Sequence, residues 1–301
     1  MTAKTISIKS KEKNKAALSS VIAAIGLTTF KIVIGVLTGS LGILAEAAHS
    51  ALDLVAALMT LFAVKIADKP ADYEHPYGHG KVENLSALFE TLLLLITCAW
   101  IIYEAVKRLI NPSAVIVEVT YWSFIVMTVS IIIDISRSRV LMKTAKKYNS
   151  QALEADALHF STDVWSSSVV ILGLIALLVS RLVSKLQFLE HADAIAALVV
   201  AAIVIYVSIR LGFSTIKALI DSAPKGSRDK IVRITEAVPG VKNVHNVRIR
   251  TSGAHLFIDI HIMVDGEKSL KDVHCITDKI EQDLKMELPE ADITVHPEPN
   301  E

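Results

Sequence analysis

The chain has 301 residues, of which 52% are hydrophobic, a formal net charge of zero and two cysteines. A soluble domain of this length is rarely so apolar, and a neutral chain gives no reason to expect nucleic acid as a partner. Cys98 and Cys275 cannot build a disulfide framework, and both are predicted to be small buried residues.

The hydrophobic residues fall into long blocks with few charges in their middles. Each block is near or above the roughly 20 residues that cross a bilayer as a helix. The sequence therefore predicts a polytopic α-helical membrane protein with six transmembrane helices, at residues 17–37, 43–66, 84–106, 115–135, 152–183 and 192–213.

Basic residues are distributed unequally between the two ends of these spans. Residues 1–15 form a lysine-rich arm that leads into the first span without the cleavage pattern of a signal peptide. Thirteen lysines and arginines flank the spans on the side of this arm, against four on the other side. By the positive-inside rule, both termini are expected in the cytoplasm.

The six spans form a transmembrane domain at residues 16–213, and beyond it the composition becomes that of a soluble segment. Residues 214–227 contain DSAPKGS and are interpreted as a linker, and residues 228–301 as a small α/β domain, here called the tail. Periodicity and turn signals predict, in chain order, a helix, a two-stranded hairpin, a helix and a strand, at residues 228–238, 243–251, 255–264, 269–288 and 291–296.

The tail contains half of the protein's ten histidines. One strand histidine is usually an ordinary surface residue, but five in a small domain rich in acids favour binding of a divalent metal. The five are His245, His255, His261, His274 and His296.

Two predicted spans each carry a histidine followed four residues later by an aspartate. HSALD places His49 and Asp53 in the second span, and HFSTD places His159 and Asp163 in the fifth. Residues four apart share one helix face, about 6 Å apart, so each pair can direct one nitrogen and one carboxylate at a common point. Two such helices would supply four ligands, the number that Zn²⁺ prefers.

A polar contact between helices is the alternative interpretation of these pairs. This alternative must account for the cost of a charged residue at the bilayer centre, about 2.5–3.5 kcal/mol. It also does not explain why the same spacing recurs in two spans. An intramembrane metalloprotease would need a glutamate directly after the first histidine, and Ser50 and Phe160 stand there instead.

A quartet of two imidazoles and two carboxylates links metal binding to protons. The ligands must lose protons to bind metal, and histidine titrates near neutral pH. These properties predict exchange of metal for protons, and a membrane metal sensor or store without transport remains the alternative from another class.

Four stretches of the sequence resemble a known family. They are SLGILAEAAHSALD (40–53), PADYEHPYGHGKVE (70–83), EADALHFSTD (154–163) and VHPEP (295–299). With the six spans and the histidine-rich tail, the chain resembles the cation diffusion facilitators, and most closely their bacterial zinc and ferrous-iron efflux branch, over nearly its whole length.

The resemblance implies the architecture and the activity. We expect a homodimer in the inner (cytoplasmic) membrane, with a cytoplasmic tail of the ferredoxin-like or metallochaperone-like type. It would export divalent metal in exchange for inward-moving protons, as an antiporter and not an enzyme. His49, where some relatives have aspartate, favours Zn²⁺ (and Cd²⁺) as the cargo, with Fe²⁺, Co²⁺ and Mn²⁺ as alternatives.

The resemblance also implies which residues bind metal. The transport site would be His49, Asp53, His159 and Asp163. A second site would lie in the loop between spans 2 and 3, at Asp72, His75 and His79, unless these are solvated side chains at a helix entry. A regulatory site in the tail would comprise His245, His261, His274, His296 and Glu298, with Glu298 in place of a family aspartate.

Two further residues match a charge pair of the family. Lys81 and Asp221 would tie the third span to the end of the sixth. The alternative is an ordinary exposed ion pair, which contributes less than about 1 kcal/mol.

Overall fold

The computed structural model describes residues 3–110, 121–182 and 192–300. The first residues of the predicted fourth span (115–120) and the last residue of the predicted fifth span (183) lie outside this part of the chain.

Within the described residues, six long helices precede the tail, and each overlaps one of the predicted spans. They are α1 (Ala3–Thr38), α2 (Leu41–Ala67), α3 (Lys81–Ile110), α4 (Tyr121–Tyr148), α5 (Gln151–Leu182) and α6 (Ala192–Leu219). Helix α1 includes most of the N-terminal arm, and α6 includes the first residues of the predicted linker. These extensions are rich in lysine, alanine and other good helix formers, which continue a helix past its apolar segment.

Four of the helices are long and apolar enough to cross a membrane. Within the described residues, α4 and α5 are not among these four, and Asp134 and a basic C-terminal end lower the mean hydropathy of α4. The count of six spans therefore stays a prediction. The four are Ile8–Thr38, Leu41–Ala67, Lys81–Lys107 and Leu198–Leu219.

Large apolar side chains cover the outside of the helical bundle, and its interior contains polar residues beside small apolar ones. On α2, Asp53 and Thr60 are buried with Ala57, whereas Leu52 and Phe62 are exposed. This arrangement fits a helix whose outer face lies in lipid, where intramembrane polar residues face the bundle interior.

A buried cluster of charged residues links the helices at the end of the bundle nearest the tail. Lys13 of α1 donates to Glu83 of α3 over 2.9 Å and also to Asp68, which follows α2. Ser150, directly before α5, donates to the other oxygen of Glu83. Lys13 and Glu83 are only 3% and 2% exposed, so their charges compensate each other away from solvent.

The tail follows the predicted order of elements. These are α7 (Ser227–Glu236), β1 (Asn243–Ser252), β2 (His255–Asp265), α8 (Leu270–Glu287) and β3 (Ala291–Asn300). The central strand β2 is antiparallel to β1 and parallel to β3, because α8 provides the crossover that a parallel pair needs. The core of the tail includes Ile258 and Ile260 of β2 and Ile280 of α8, all fully or almost fully buried.

Two features of the tail, the length of strand β3 and the exposure of Cys275, differ from the predictions. Strand β3 continues past residue 296 to Asn300, because its edge position tolerates Pro297 and Pro299. Cys98 is buried as predicted, but the prediction is wrong for Cys275, which is exposed on the face of α8 opposite Ile280 and Leu284.

Candidate metal centres

The two intramembrane histidine–aspartate pairs converge on one point between α2 and α5. Nε2 of His159 lies 3.2 Å from Oδ1 of Asp53 and 3.7 Å from Oδ2 of Asp163. Nε2 of His49 lies 3.9 Å from a carboxylate oxygen of each aspartate. In tetrahedral coordination with bonds of about 2.0–2.2 Å, neighbouring donor atoms lie about 3.4 Å apart. His49, Asp53 and Asp163 have ligand atoms within 4.8 Å of one another, and His159 joins them through its contacts with both aspartates. The four residues together have the donor types of such a site.

Access to this quartet is uneven. The side chain of His49 is 41% exposed, whereas that of His159 is 6% exposed. Nδ1 of His159 is buried without a hydrogen-bond partner, so this ring is held by packing and by the aspartates. His49 therefore forms the exposed side of the quartet, and His159 forms its buried side.

The loop between α2 and α3 brings together Asp72, His75 and His79. Asp72 lies 3.3 Å from Nδ1 of His75 and 3.4 Å from Nε2 of His79. The backbone N–H of His75 donates to Asp72 over 2.7 Å and holds the pKa of Asp72 below its ordinary value. An ionised carboxylate beside two imidazoles is a plausible three-ligand set for a divalent cation.

The tail cluster forms because its histidines occupy one row across the sheet. His245 of β1 pairs with His261 of β2, and His261 pairs with His296 of β3. Neighbouring strands lie about 4.8 Å apart, so the three imidazoles stand side by side on one face. Glu298 lies 3.1 Å from His245 and 2.8 Å from His261. The hydrogen bond with His261 lowers the pKa of Glu298, which keeps this carboxylate ionised.

His274 does not join this row within one chain. It is exposed on α8, with Nε2 3.7 Å from Asp278. Its place in a tail metal site stays a prediction that involves the dimer. His255 lies at the start of β2 and belongs to none of the three clusters that the described residues form.

Lys81 and Asp221 are in contact, with Nζ 2.9 Å from Oδ1. Lys81 also donates to the carbonyl of Leu219, the last residue of α6. Both side chains are more than a third exposed, so the pair contributes little as an isolated ion pair.

Sequence reasoning missed a contact between the loop and the tail. The guanidinium of Arg250 lies 3.7 Å from the ring centroid of Tyr77, and the rings of Tyr77 and Phe257 meet edge to face at 5.2 Å. A Cβ atom on Gly80 would lie 2.2 Å from the carbonyl oxygen of Ser252, so only glycine allows this approach. The periodicity of either segment alone carries no signal of such a contact.

The bundle and its quartet define a class of protein: a helical membrane protein with two histidines and two aspartates, side chains of the types that bind divalent metals, gathered between its helices. Comparison with known proteins narrows this class. Residues 17–220 match the family model of the cation efflux transmembrane domain, and residues 223–300 match that of the cation efflux protein cytoplasmic domain.

Relatives match over almost the entire chain. The cation-efflux pump FieF of Yersinia enterocolitica is 33% identical over 286 residues, which cover 94% of this chain and 92% of the relative. FieF of Cronobacter sakazakii is 32% identical over 290 residues, covering 95% of this chain and 92% of the relative. A solved nickel form of the MamM CTD is 27% identical, covers 25% of this chain and 95% of its own, and has a TM-score of 0.24.

The chain belongs to the cation efflux family. It is a multi-span membrane transporter of metal cations with a C-terminal α/β domain, as the sequence predicted.

Proposed function

We propose that this protein exports Zn²⁺ from the cytoplasm in exchange for protons. The observation that carries the proposal is the quartet on α2 and α5, in which each of the two imidazoles lies 3.2–3.9 Å from a carboxylate oxygen of each aspartate. Two nitrogen and two oxygen donors suit tetrahedral Zn²⁺ better than Mn²⁺, which prefers oxygen ligands.

The same four ligands couple the binding of Zn²⁺ to the release of protons. Zn²⁺ binds only the deprotonated imidazoles, so metal entry releases protons, and protonation of His49 and His159 releases the metal. Because the ligands come from two different helices, a relative movement of α2 and α5 changes their spacing. Alternate exposure of the quartet to the two sides of the membrane would then move metal one way and protons the other.

The remaining clusters have supporting roles in this proposal. The row of tail histidines with Glu298 binds metal as a regulator and joins two chains into a homodimer, to which His274 of each tail contributes. The loop cluster lies beside the tail hairpin and captures metal near the entrance. Both chain termini lie in the cytoplasm, in a multi-pass protein of the inner membrane.

The decisive experiment is Zn²⁺ flux in proteoliposomes under an imposed pH gradient. Wild-type protein should show flux that follows the gradient, and Asp163→Ala should reduce it to the background of empty vesicles. Asp292→Asn is a matched control, because Asp292 is an exposed carboxylate in the tail. Zn²⁺ binding without flux in the wild type would favour a metal sensor or store instead.

Two further measurements test which metal is transported and on which side of the membrane the tail lies. Flux with Fe²⁺, Cd²⁺, Co²⁺ and Mn²⁺ should be slower than with Zn²⁺ at equal concentration. A membrane-impermeant thiol reagent should label exposed Cys275 in inverted membrane vesicles and not in intact cells. Labelling in intact cells would contradict a cytoplasmic tail.

A further inference from the structure

Two carboxylates that the quartet does not use are fully buried in the bundle. Glu90 of α3 and Asp156 of α5 are both 0% exposed. A buried carboxylate normally has a full set of hydrogen bonds or a cationic partner, because an uncompensated charge in an apolar interior is very unfavourable.

Glu90 lacks such a set. Its Oε1 accepts a hydrogen bond from the hydroxyl of Thr60 on α2, and its Oε2 is buried without a partner. No cationic side chain within the described residues forms an ion pair with it. The charged or titratable groups that act on Glu90 are Asp156 and His159, both on α5.

Asp156 is compensated only in part. Its Oδ2 accepts from the hydroxyl of Ser20 on α1 over 3.3 Å, and its Oδ1 is buried without a partner. Ser20 in turn accepts from Arg137 of α4 at 3.1 Å, so the arginine reaches Asp156 through a hydroxyl. Arg137 also bonds directly to Asp134 at 3.3 Å. Besides Glu90, the groups that act on Asp156 include Arg137, His159 and Asp53.

The packing of α3 against α5 sets the level of the two carboxylates. Both helices begin at the end of the bundle near the tail, where Asn84 donates to Gln151 over 2.8 Å, and one turn further Ala87 packs with Ala155. The next turn of α3 carries Glu90, which is therefore level with the turn of α5 that contains Asp156 and leads into His159.

Carboxylates outnumber lysine and arginine in this layer of the bundle. Within the described residues, Arg137 bonds to Asp134 and reaches Asp156 through Ser20, whereas neither a lysine nor an arginine forms an ion pair with Glu90. Two unpartnered carboxylate oxygens at one level form a place where a positive charge is strongly stabilised.

We propose that Glu90 and Asp156 form a second intramembrane cation site, one helical turn from the quartet on the side of the tail, which takes a proton or the divalent metal during its passage. The ligand atoms are Oε2 of Glu90 and Oδ1 of Asp156, with the hydroxyls of Thr60 and Ser20 beside them. An all-oxygen set without imidazole binds Zn²⁺ more weakly than the quartet, which suits a site of transit. The role of this site as a stage in transport rests on the proposed function, whereas the binding of a cation by Glu90 and Asp156 does not.

The test counts bound metal and released protons on full-length protein in nanodiscs. Metal-free wild type, Glu90→Gln and Asp156→Asn are titrated with Mn²⁺, followed by electron paramagnetic resonance, and with Zn²⁺ in weak buffer containing a pH indicator. Glu154→Gln is the matched control, because Glu154 lies on α5 near Asp156 but is only half-buried. Thermal melting confirms that each variant is folded, and Gln and Asn keep the shape of the original side chains.

A metal occupant predicts that each variant binds one fewer Mn²⁺ per chain than wild type and Glu154→Gln. A proton occupant predicts unchanged metal counts with fewer protons released for each Zn²⁺ bound. Unchanged metal and proton counts in a folded Glu90→Gln or Asp156→Asn would overturn the proposal. Absent Zn²⁺ flux in wild-type proteoliposomes would contradict the transporter function alone and would leave these counts valid.

Discussion

The quartet in the bundle and the histidine row in the tail use the same ligand types on different supports. The quartet divides its ligands between α2 and α5, whose spacing is set only by side-chain packing. The tail row takes His245, His261 and His296 from three strands that backbone hydrogen bonds hold in register. Ligands on separate helices can move apart and release a metal, whereas ligands on one sheet keep their spacing. The first arrangement suits transport, and the second suits a metal that stays bound.

The largest expected effect concerns the quartet. Asp53→Asn should reduce Zn²⁺ flux in proteoliposomes to background, because the Asp53 carboxylate lies within 4 Å of both histidines. Asp292→Asn should transport like wild type. Flux of wild-type magnitude in Asp53→Asn would show that the cation does not pass between α2 and α5.

A substitution in the tail row should change Zn²⁺ transport less than a substitution in the quartet does, but it should strongly weaken Zn²⁺ binding by the tail. In an Asp163→Ala background, His261→Ala should weaken Zn²⁺ binding at the tail by about 100-fold, because His261 is central in the row and contacts Glu298. It should also remove most of the increase in melting temperature that Zn²⁺ produces. His255→Ala is the matched control, and equal affinities in the two variants would contradict the assignment of the row.

The pH dependence of tail binding should follow its histidines. The lowered pKa of Glu298 means that its ionic contribution is present above the ordinary carboxylate pKa and is lost only as the pH falls through the lowered value. Each imidazole must be free of its proton to bind the metal, so Zn²⁺ affinity should fall as the pH is lowered even while Glu298 stays ionised.

A chelator competition at pH 7.5, 6.5 and 5.5 measures this dependence. Glu298→Gln should have lower affinity at every pH with an unchanged midpoint. A midpoint near pH 4 would instead assign the titration to a carboxylate.

The smallest expected effect concerns the contact between loop and tail. Gly80→Ala should lower the free energy of unfolding by roughly 1–3 kcal/mol, because the added Cβ meets the backbone of Ser252. Gly26→Ala in α1 is the control, since its Cβ would enter open space and alanine favours the helix. Differential scanning fluorimetry compares the two, and equal melting temperatures would show that the loop moves away from the tail without cost.

The quartet and most elements could be predicted from sequence because their signals are local. The four-residue spacing of His49 and Asp53 fixes a shared helix face, and the recurrence at His159 and Asp163 indicates the partner helix. The tail row could not be derived in this way, because strand register depends on pairing between distant residues. His274 illustrates the same limit, since its spacing along the chain says nothing about its distance from the row.

The buried acids were missed for a different reason. Glu90 stands alone in an apolar block, and Asp156 lies three residues before HFSTD, outside the histidine–aspartate pair. The two acids are on different helices, so only the packing of α3 against α5 shows that they are level.

The charge cluster around Lys13 gives the N-terminal arm a second role. Lysines in this arm are expected to direct the orientation of the chain during insertion, yet Lys13 ends as a fully enclosed counter-ion of Glu83. Shortening the chain past this residue would leave a buried carboxylate uncompensated, at a cost of about 3–5 kcal/mol. Lys13 thus stabilises the finished bundle, and a truncation that removes it would loosen the junction of α1, α2, α3 and α5.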